Sequence, residues 1–238
     1  MMVTDQVPII ITARGGSKGI PRKNLASCGG CPLIAWTIVA ARKARLAARV
    51  LVSTDDPEIA AAAQAAGADV PFLRPAELAG DHSSHVDVMK HAVSWLETQG
   101  TVYEYVALVQ PTCPLILPED VDGALELALR TRNDSVITVT PAEHHPYYSH
   151  RLRPDGTLEY FWTEGRNYRR RQDLPAAYDE AGAIYVLRRN LLFDRNVLEA
   201  EHPLAYVLPQ ERALDIDAPW DLHLADLILR ERVSEVRP

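Results

Sequence analysis

Short apolar runs alternate with amphipathic segments over the first 140 residues, and this alternation restricts the chain to few folds. The run at 7–11 is continuously apolar, as in a strand buried on both faces. Further strand-like runs lie at 50–53, 70–73, 105–109 and 135–140, and helical periodicity follows the first four strands. The order predicts an α/β fold with a mostly parallel central sheet and helices on both faces.

The alternation stops at Pro141 and resumes after about Tyr178. The intervening stretch is dense in His, Tyr, Arg and Pro, and a Pro154-Asp155-Gly156 turn predicts a small hairpin within it. We therefore predict an α/β domain from residues 1–140 and 179–238, interrupted by an inserted arm at 141–178 that packs on a second subunit. Strands near 182–187 and 205–208 and a last helix at 219–230 complete the domain.

Charge and cysteine content exclude several classes of protein. The net charge of −7 and the absence of an extended basic run argue against a nucleic-acid partner. No uncharged apolar run reaches the roughly 18 residues of a membrane span. The first residues do not resemble a signal peptide, so we expect a cytoplasmic protein. Cys28, Cys31 and Cys113 are too few for a four-cysteine zinc site, and we expect reduced thiols.

The loop after the first strand concentrates positive charge. Arg14, Lys18, Arg22 and Lys23 lie within ten residues, among three glycines. Ligands of open parallel sheets bind beyond the carboxyl ends of the strands, and cations with accessible backbone N–H groups suit a polyphosphate. The loop matches neither the Walker A pattern nor the dinucleotide fingerprint. By composition alone it could also be a solvated basic turn.

The loop and six later segments together resemble one enzyme family. Arg-x-x-Ser-Lys-Gly-x-Pro-x-Lys-Asn, at residues 14–24, resembles the N-terminal motif of acylneuraminate cytidylyltransferases, the CMP-sialic acid synthetases. The other matching segments, in order, are Ser53-Thr54-Asp55, Leu73–Ala79 followed by Asp81, Gln110–Leu115, Glu143–Pro146, Arg171–Pro175 with Gly182–Tyr185, and Asp215-Ile216-Asp217. Seven matches in the right order cover nearly the whole chain.

The resemblance implies a Rossmann-like nucleotidyltransferase that transfers CMP from CTP to a sialic-acid-like nonulosonic acid and releases pyrophosphate. It also implies a homodimer joined through the arm. Arg14, Lys23 and Asp217 are the implied catalytic residues. The implied nucleotide-binding residues are Arg14, Gly16, Ser17, Lys23, Asn24, Arg74, Asp81 and Ser84, with Arg74 at the cytosine edge.

Three residues are implied to bind the sugar acid. Gln110 follows a strand and would contact the sugar, although it could instead be a capping amide in a proline-rich turn. Arg171 would bind the substrate carboxylate through a bidentate pair. Tyr185 would line the sugar pocket or pack in the core. Arg74, similarly, could be a surface arginine beside Pro75.

The metal prediction rests on Asp215 and Asp217. Alternate residues of an extended segment share a face, and two carboxylates on one face repel each other unless a cation lies between them. Mg²⁺ fits, because it binds one or two carboxylates together with phosphate oxygens and water. For Asp217, capping of the helix that begins at Pro219 is a competing role.

The chain departs from the sialic-acid pattern near the sugar. Asp179 and Glu180 stand where a basic residue is expected before Gly182, and Ala181 replaces an asparagine. We therefore expect a nonulosonic acid other than plain N-acetylneuraminate, such as a legionaminic- or pseudaminic-type acid. The alternatives are a nucleotidyltransferase that makes CMP-3-deoxy-octulosonate or uses GTP, and a non-catalytic sugar-nucleotide-binding module.

Overall fold

A computed structural model describes residues 6–80 and 83–232. Its strands are β1 (Val7–Thr12), β2 (Ser27–Cys28), β3 (Cys31–Pro32), β4 (Ala47–Ser53), β5 (Tyr105–Val109), β6 (Ser135–Pro141), β7 (His150–Leu152), β8 (Leu158–Tyr160), β9 (Tyr178–Arg188) and β10 (Leu204–Val207). Its α-helices are α1 (Leu33–Lys43), α2 (Pro57–Ala65), α3 (His85–Thr98), α4 (Pro118–Thr131) and α5 (Pro219–Glu231).

Six strands form the central sheet in the order β10-β6-β9-β5-β1-β4. β1 pairs in parallel with β4 and β5, and β6 pairs in parallel with β10. β9 runs antiparallel between β5 and β6. The α/β, mostly parallel sheet is therefore confirmed, and the carboxyl ends of β1, β4, β5 and β6 lie at one edge.

Apolar side chains cover both faces of the sheet. On one face, residues of α1, α2 and α4 pack with Ile9, Ile11 and Val109. On the other face, α3 and the short π-helix Leu191–Arg195 pack against Ile10 and Leu108. The alternation of consecutive strand residues between the two faces explains why β1 is apolar at every position.

The prediction of a strand at 70–73 is wrong: the structure describes these residues, and they do not form a strand of the sheet. This segment makes only two isolated bridges, Leu51 with Asp69 and Thr54 with Leu73. Leu73 is 53% exposed, so an apolar run did not indicate a buried strand here. The segment instead carries the chain past the edge strand β4 to Arg74.

Residues 141–178 leave the sheet at the end of β6 and return at the start of β9. Pro141 pairs with Tyr178, and the Ala142 N–H donates to the Ala177 carbonyl at 2.9 Å. The predicted hairpin is present as β7 and β8. Because β6 ends at the carboxyl edge of the sheet, the arm extends from the edge where ligands of such sheets bind.

Candidate active site

A cavity of about 400 Å³ lies at the carboxyl ends of β1 and β5. It lies where the fold predicts a ligand site, in the crevice beyond the strand ends. Its lining contains the predicted residues Arg14, Ser17, Lys23, Asn24, Arg74, Gln110 and Asp217, together with Thr12, Lys18, Gly19, His85, Pro111 and Thr112. The structure thus brings together residues from the beginning, middle and end of the chain.

The basic loop is joined to the segment before α5. The Lys23 ammonium donates to the Ile216 carbonyl at 2.6 Å and to Asp217 Oδ1 at 3.2 Å. Gly19 passes so close to this segment that a Cβ there would lie 2.6 Å from the Asp217 carbonyl oxygen. Only glycine fits this approach without displacing the backbone, which explains one of the loop's glycines.

The Asn24 side chain stabilises the basic loop by a hydrogen bond to the loop backbone. Its side chain is 5% exposed, and its Nδ2 donates to the Arg14 carbonyl at 3.1 Å. Its Oδ1 is buried and has no hydrogen-bond partner among the described residues. Buried polar atoms rarely stay unpaired in native proteins, so this acceptor is available to a donor that the chain alone does not provide.

Asp55 connects the basic loop with Arg74. Its Oδ1 accepts from the Gly15 N–H at 3.1 Å and lies 3.4 Å from Arg74 Nη2. Asp56, not Asp55, caps α2, because its carboxylate accepts the N–H groups of Glu58 and Ile59. The Asp55 carboxylate therefore orients both the basic loop, through Gly15, and the buried guanidinium of Arg74.

Arg74 is 7% exposed and faces the cavity. Burial lowers its pKa and the neighbouring Asp55 raises it again, yet an arginine keeps its charge at any ordinary pH. Its Nε has no hydrogen-bond partner among the described residues. The group is thus not a solvated surface arginine, and it presents donor atoms to a ligand with acceptors.

Asp215 and Asp217 lie on either side of the buried Ile216. The Asp215 carboxylate lies 4.0 Å from Cys113 Sγ and near Gly182, whose left-handed backbone (φ 64°) forms a bulge in β9. Partial desolvation raises the pKa of Asp215, and the charge of Asp217 adds to this effect. Of the two, only Asp217 lines the cavity, and a divalent cation held between Asp215 and Asp217 stays a prediction.

The competing role of Asp217 as a helix cap is wrong. Ala218 is the first flanking residue of α5 and has no side-chain capping hydrogen bond. The Asp221 carboxylate instead accepts the N–H groups of Asp217 at 3.0 Å and Ala218 at 2.7 Å. The Asp217 side chain, 80% exposed, remains at the cavity.

Three further predicted residues do not line this cavity among the residues that the structure describes. Gly16 is exposed beside the cavity but does not line it. Asp81 lies outside the described residues. Ser84 caps α3, where its hydroxyl accepts the Val86 N–H at 3.1 Å, and it lines an adjoining cavity together with Tyr185.

Arg171 is not brought to either cavity within one chain. It lies in the arm, is exposed and donates to the Glu143 carbonyl at 3.1 Å. His144 and His145 also lie in this region, and His145 Nε2 lies 3.0 Å from the Pro175 carbonyl, a packing contact at the base of the arm.

His85 was not anticipated from the sequence. It lines both cavities, and burial together with the charges of Arg74 and Arg14 lowers its pKa. A histidine directly after a helix-capping serine carries no local signal of a ligand site. Only the position of the α3 N-terminus, beside Gln110 at the end of β5, reveals it.

Comparisons with known proteins agree with this geometry. Residues 8–213 match a family model described as cytidylyltransferase. The chain is 32% identical over 221 residues, 93% of its length, to a pseudaminic acid cytidylyltransferase of Campylobacter jejuni, of which it covers 95%. It is 33% identical over 224 residues to an N-acylneuraminate cytidylyltransferase of Escherichia coli, covering 94% of this chain and 52% of that protein.

The fold also has a solved counterpart. A CMP:2-keto-3-deoxy-manno-octonic acid synthetase complexed with CTP superposes with a TM-score of 0.71 and 21% sequence identity, covering 95% of this chain and 99% of that one. At this identity the likeness supports the fold alone.

Proposed function

The chain belongs to the cytidylyltransferase family, and on this premise we propose that it transfers CMP from CTP to a sialic-acid-like nonulosonic acid and releases pyrophosphate. One observation carries the proposal: Lys23, Arg74 and Asp217 line a single cavity at the carboxyl edge of the sheet. The relatives named for pseudaminic and N-acylneuraminic acids support the class of acceptor.

The reaction is a displacement at the α-phosphate. The anomeric hydroxyl of the sugar acid loses its proton to solvent and its oxygen forms a new bond to the α-phosphorus. The bond from the α-phosphorus to the bridging oxygen breaks, and pyrophosphate leaves with the electron pair of that bond. Negative charge spreads over the phosphate oxygens during the transfer. Arg14, Lys18 and Lys23 supply fixed positive charge in the cavity, and Lys23 needs no reorganisation because Ile216 and Asp217 already hold it.

Arg74 is proposed to contact the pairing edge of cytosine. That edge presents the acceptors O2 and N3 beside the N4 donor, whereas the pairing edge of guanine presents two N–H donors beside the acceptor O6. A guanidinium has only donors, so it complements the acceptors of the first edge and opposes the donors of the second. Because the O6 and N7 atoms of guanine also accept two N–H donors from an arginine, Arg74 alone does not exclude GTP, and the cytidylyltransferase family supports CTP.

Mg²⁺ is the proposed metal, and the residues present fit it. Among the described residues no group of three or more His, Cys, Asp or Glu side chains is arranged to hold an ion by itself. Mg²⁺ needs only one or two carboxylates when phosphate oxygens and water complete its shell, and Asp215 and Asp217 would supply them. Bound there, it would offset phosphate charge.

A homodimer is proposed through the arm. Leu152 and Leu158 on its hairpin are 73% and 65% exposed, and Phe161 and Trp162 are also exposed. Several large exposed apolar side chains on so short a segment are typical of an interaction surface. A second copy would also offer a route for Arg171 to reach a substrate carboxylate that its own chain does not bring near.

Replacing residues 142–177 by a short linker tests the dimer. Pro141 and Tyr178, which flank the replaced residues, already pair between β6 and β9, so the sheet can close without the arm. We expect a dimer in sedimentation velocity for the full chain and a monomer for the shortened one. A full chain that is monomeric at micromolar concentration contradicts this part of the proposal.

We also propose a cytoplasmic location. Among the described residues no helix is long and apolar enough to cross a membrane. Cys28, Cys31 and Cys113 are unpaired thiols, as expected in a reducing compartment. We place the enzyme in the cytoplasm on this basis.

Pyrophosphate release with mass identification of the product tests the activity. Purified protein is mixed with Mg²⁺, each of the four nucleoside triphosphates and a panel of acids: pseudaminate, legionaminate, N-acetylneuraminate and 3-deoxy-octulosonate. We expect a CMP-nonulosonate only with CTP. Binding of CTP without product from any acid would instead indicate a non-catalytic module.

A further inference from the structure

A second cavity, of about 640 Å³, adjoins the first. His85 and Gln110 line both cavities, so a ligand in the first can continue into the second. The other lining residues of this second cavity are Ser84, Val86, Leu108, Glu180, Tyr185, Asn196, Val197, Leu198 and Glu199. The two cavities together form one cleft with a basic end and an acidic end.

The acidic end carries two carboxylates from separate parts of the chain. Glu180 lies at the start of β9, and Glu199 lies after the π-helix. Neither forms an ion pair within the described ranges, and neither Lys nor Arg is among the residues lining this cavity. A nearby cation, Lys90, donates its ammonium to Asn196 Oδ1 at 2.7 Å instead.

The charges of Glu180 and Glu199 both influence the pKa of Tyr185. Burial raises the pKa of its hydroxyl to about 12, with Glu180 and then Glu199 adding to the effect. The hydroxyl is therefore neutral and able to donate a hydrogen bond throughout the working pH range. Both carboxylates therefore act on a residue of the cavity lining, whereas Asp179, the neighbour of Glu180, does not line the cavity.

The polarity of the cleft orients a sugar acid. The substrate's carboxylate and its attacking hydroxyl share the anomeric carbon, so both must lie near the phosphates and cations of the first cavity. The other end of the sugar then extends toward Glu180 and Glu199. Ionised carboxylates accept hydrogen bonds but cannot donate them. The side of the cavity formed by Glu180 and Glu199 therefore matches ligand groups that donate a hydrogen bond without turning a lone pair toward the carboxylates.

Resting on the proposed function, we propose that Glu180 and Glu199 select sugar acids whose end remote from the carboxylate carries nitrogen-borne N–H donors in place of hydroxyls. A hydroxyl can donate one hydrogen bond, but its oxygen lone pairs then face anionic oxygens. An ammonium or acylamino nitrogen donates without that repulsion, and an ammonium adds charge assistance. The two glutamates are thereby specificity-determining residues of this chain.

A matched set of acceptors tests the proposal. N-acetylneuraminate is compared with its analogues in which an amino group replaces the hydroxyl at C7 or at C9, and kcat/KM is measured from pyrophosphate release with CTP. We expect at least one amino analogue to exceed N-acetylneuraminate by about tenfold, which corresponds to about 1.4 kcal/mol. Equal or lower kcat/KM for both analogues would overturn the proposal.

Two variants assign the preference to the carboxylates. Glu180→Gln and Glu199→Gln keep the side-chain shape but add a donor and remove the charge, and each should lower the amino-to-hydroxyl ratio at least threefold. Glu201→Gln changes the charge two residues away at an exposed site outside the cavity lining, and should keep the wild-type ratio. A ratio unchanged in both cavity variants would refute their role, whereas the absence of product from every acid would refute the proposed activity itself.

Discussion

The ammonium of Lys23 lies 3.2 Å from Oδ1 of Asp217, across a sequence separation of 194 residues. The Lys23 side chain is 16% exposed, whereas that of Asp217 is 80% exposed. The pair therefore holds the cation at the cavity wall while most of the carboxylate stays accessible. A cation and an anion so placed can act on a triphosphate and on a metal ion respectively.

Replacing Lys23 by methionine should reduce turnover strongly. The substitution keeps a long apolar stem but removes the ammonium, and loss of one preorganised group that stabilises developing charge costs about 10²–10³-fold in kcat. Steady-state kinetics with CTP and the preferred acid measure the effect. Lys43→Met, at the exposed end of α1, is the control and should behave as wild type. Activity within threefold of wild type in Lys23→Met would exclude a catalytic role.

Asp55→Asn should weaken CTP binding more than it slows the chemistry. The amide oxygen can still accept from Gly15, but the charge facing the buried Arg74 is lost. Breaking one partner of a buried charge pair leaves the other uncompensated, and we expect KM for CTP to rise about tenfold with kcat nearly constant. Asp69→Asn, which removes the charge facing Arg49 away from the lining of the first cavity, should leave KM unchanged; an equal rise in both variants would contradict the positioning role.

The cap of α5 gives a stability prediction. Asp221→Ala removes the acceptor of two N–H groups and should lower the free energy of unfolding by about 1 kcal/mol. Asp217→Ala removes an exposed side chain that caps nothing and should change it by less than about 0.5 kcal/mol. Urea denaturation of both variants measures the difference, and the reverse order would restore the cap to Asp217.

His85 should make CTP binding depend on pH. Burial and the two nearby arginines lower its pKa in the free protein, so the ring is neutral at pH 7. An anionic triphosphate beside it favours the protonated form and raises the pKa, which means that binding takes up a proton and tightens as the pH falls.

Calorimetric titration of CTP from pH 8 to pH 5.5 measures this dependence. Protonation of CTP itself contributes equally to wild type and to His85→Gln, so the ratio of their affinities isolates the histidine. We expect the ratio to favour wild type increasingly at lower pH. A ratio independent of pH would show that His85 does not sense the bound anion.

Much of the architecture was predictable because it is local. The continuous apolar run of β1 and the amphipathic stripe of α4 each predict their element from neighbouring residues alone, and Pro154-Asp155-Gly156 predicts a turn in the same way. The prediction of a strand at 70–73 failed because a run of four apolar residues looks the same whether it forms a continuous strand pairing or only isolated bridges. The strand at 182–187 was predicted and is part of β9, but its antiparallel direction was not, since the direction depends on the path of the preceding arm.

The sequence alone determined which chemical groups are present and which loops carry them: cations after β1, a carboxylate pair before α5, and Arg74 between them. The tertiary structure decided which of these groups meet. The strand order brings Asp55 to Arg74 and Asp217 to Lys23, and it places Glu180 and Glu199 in the lining of one cavity. Such contacts join residues far apart in the chain, and their energies depend on sheet topology and loop closure, which no local pattern of residue types contains.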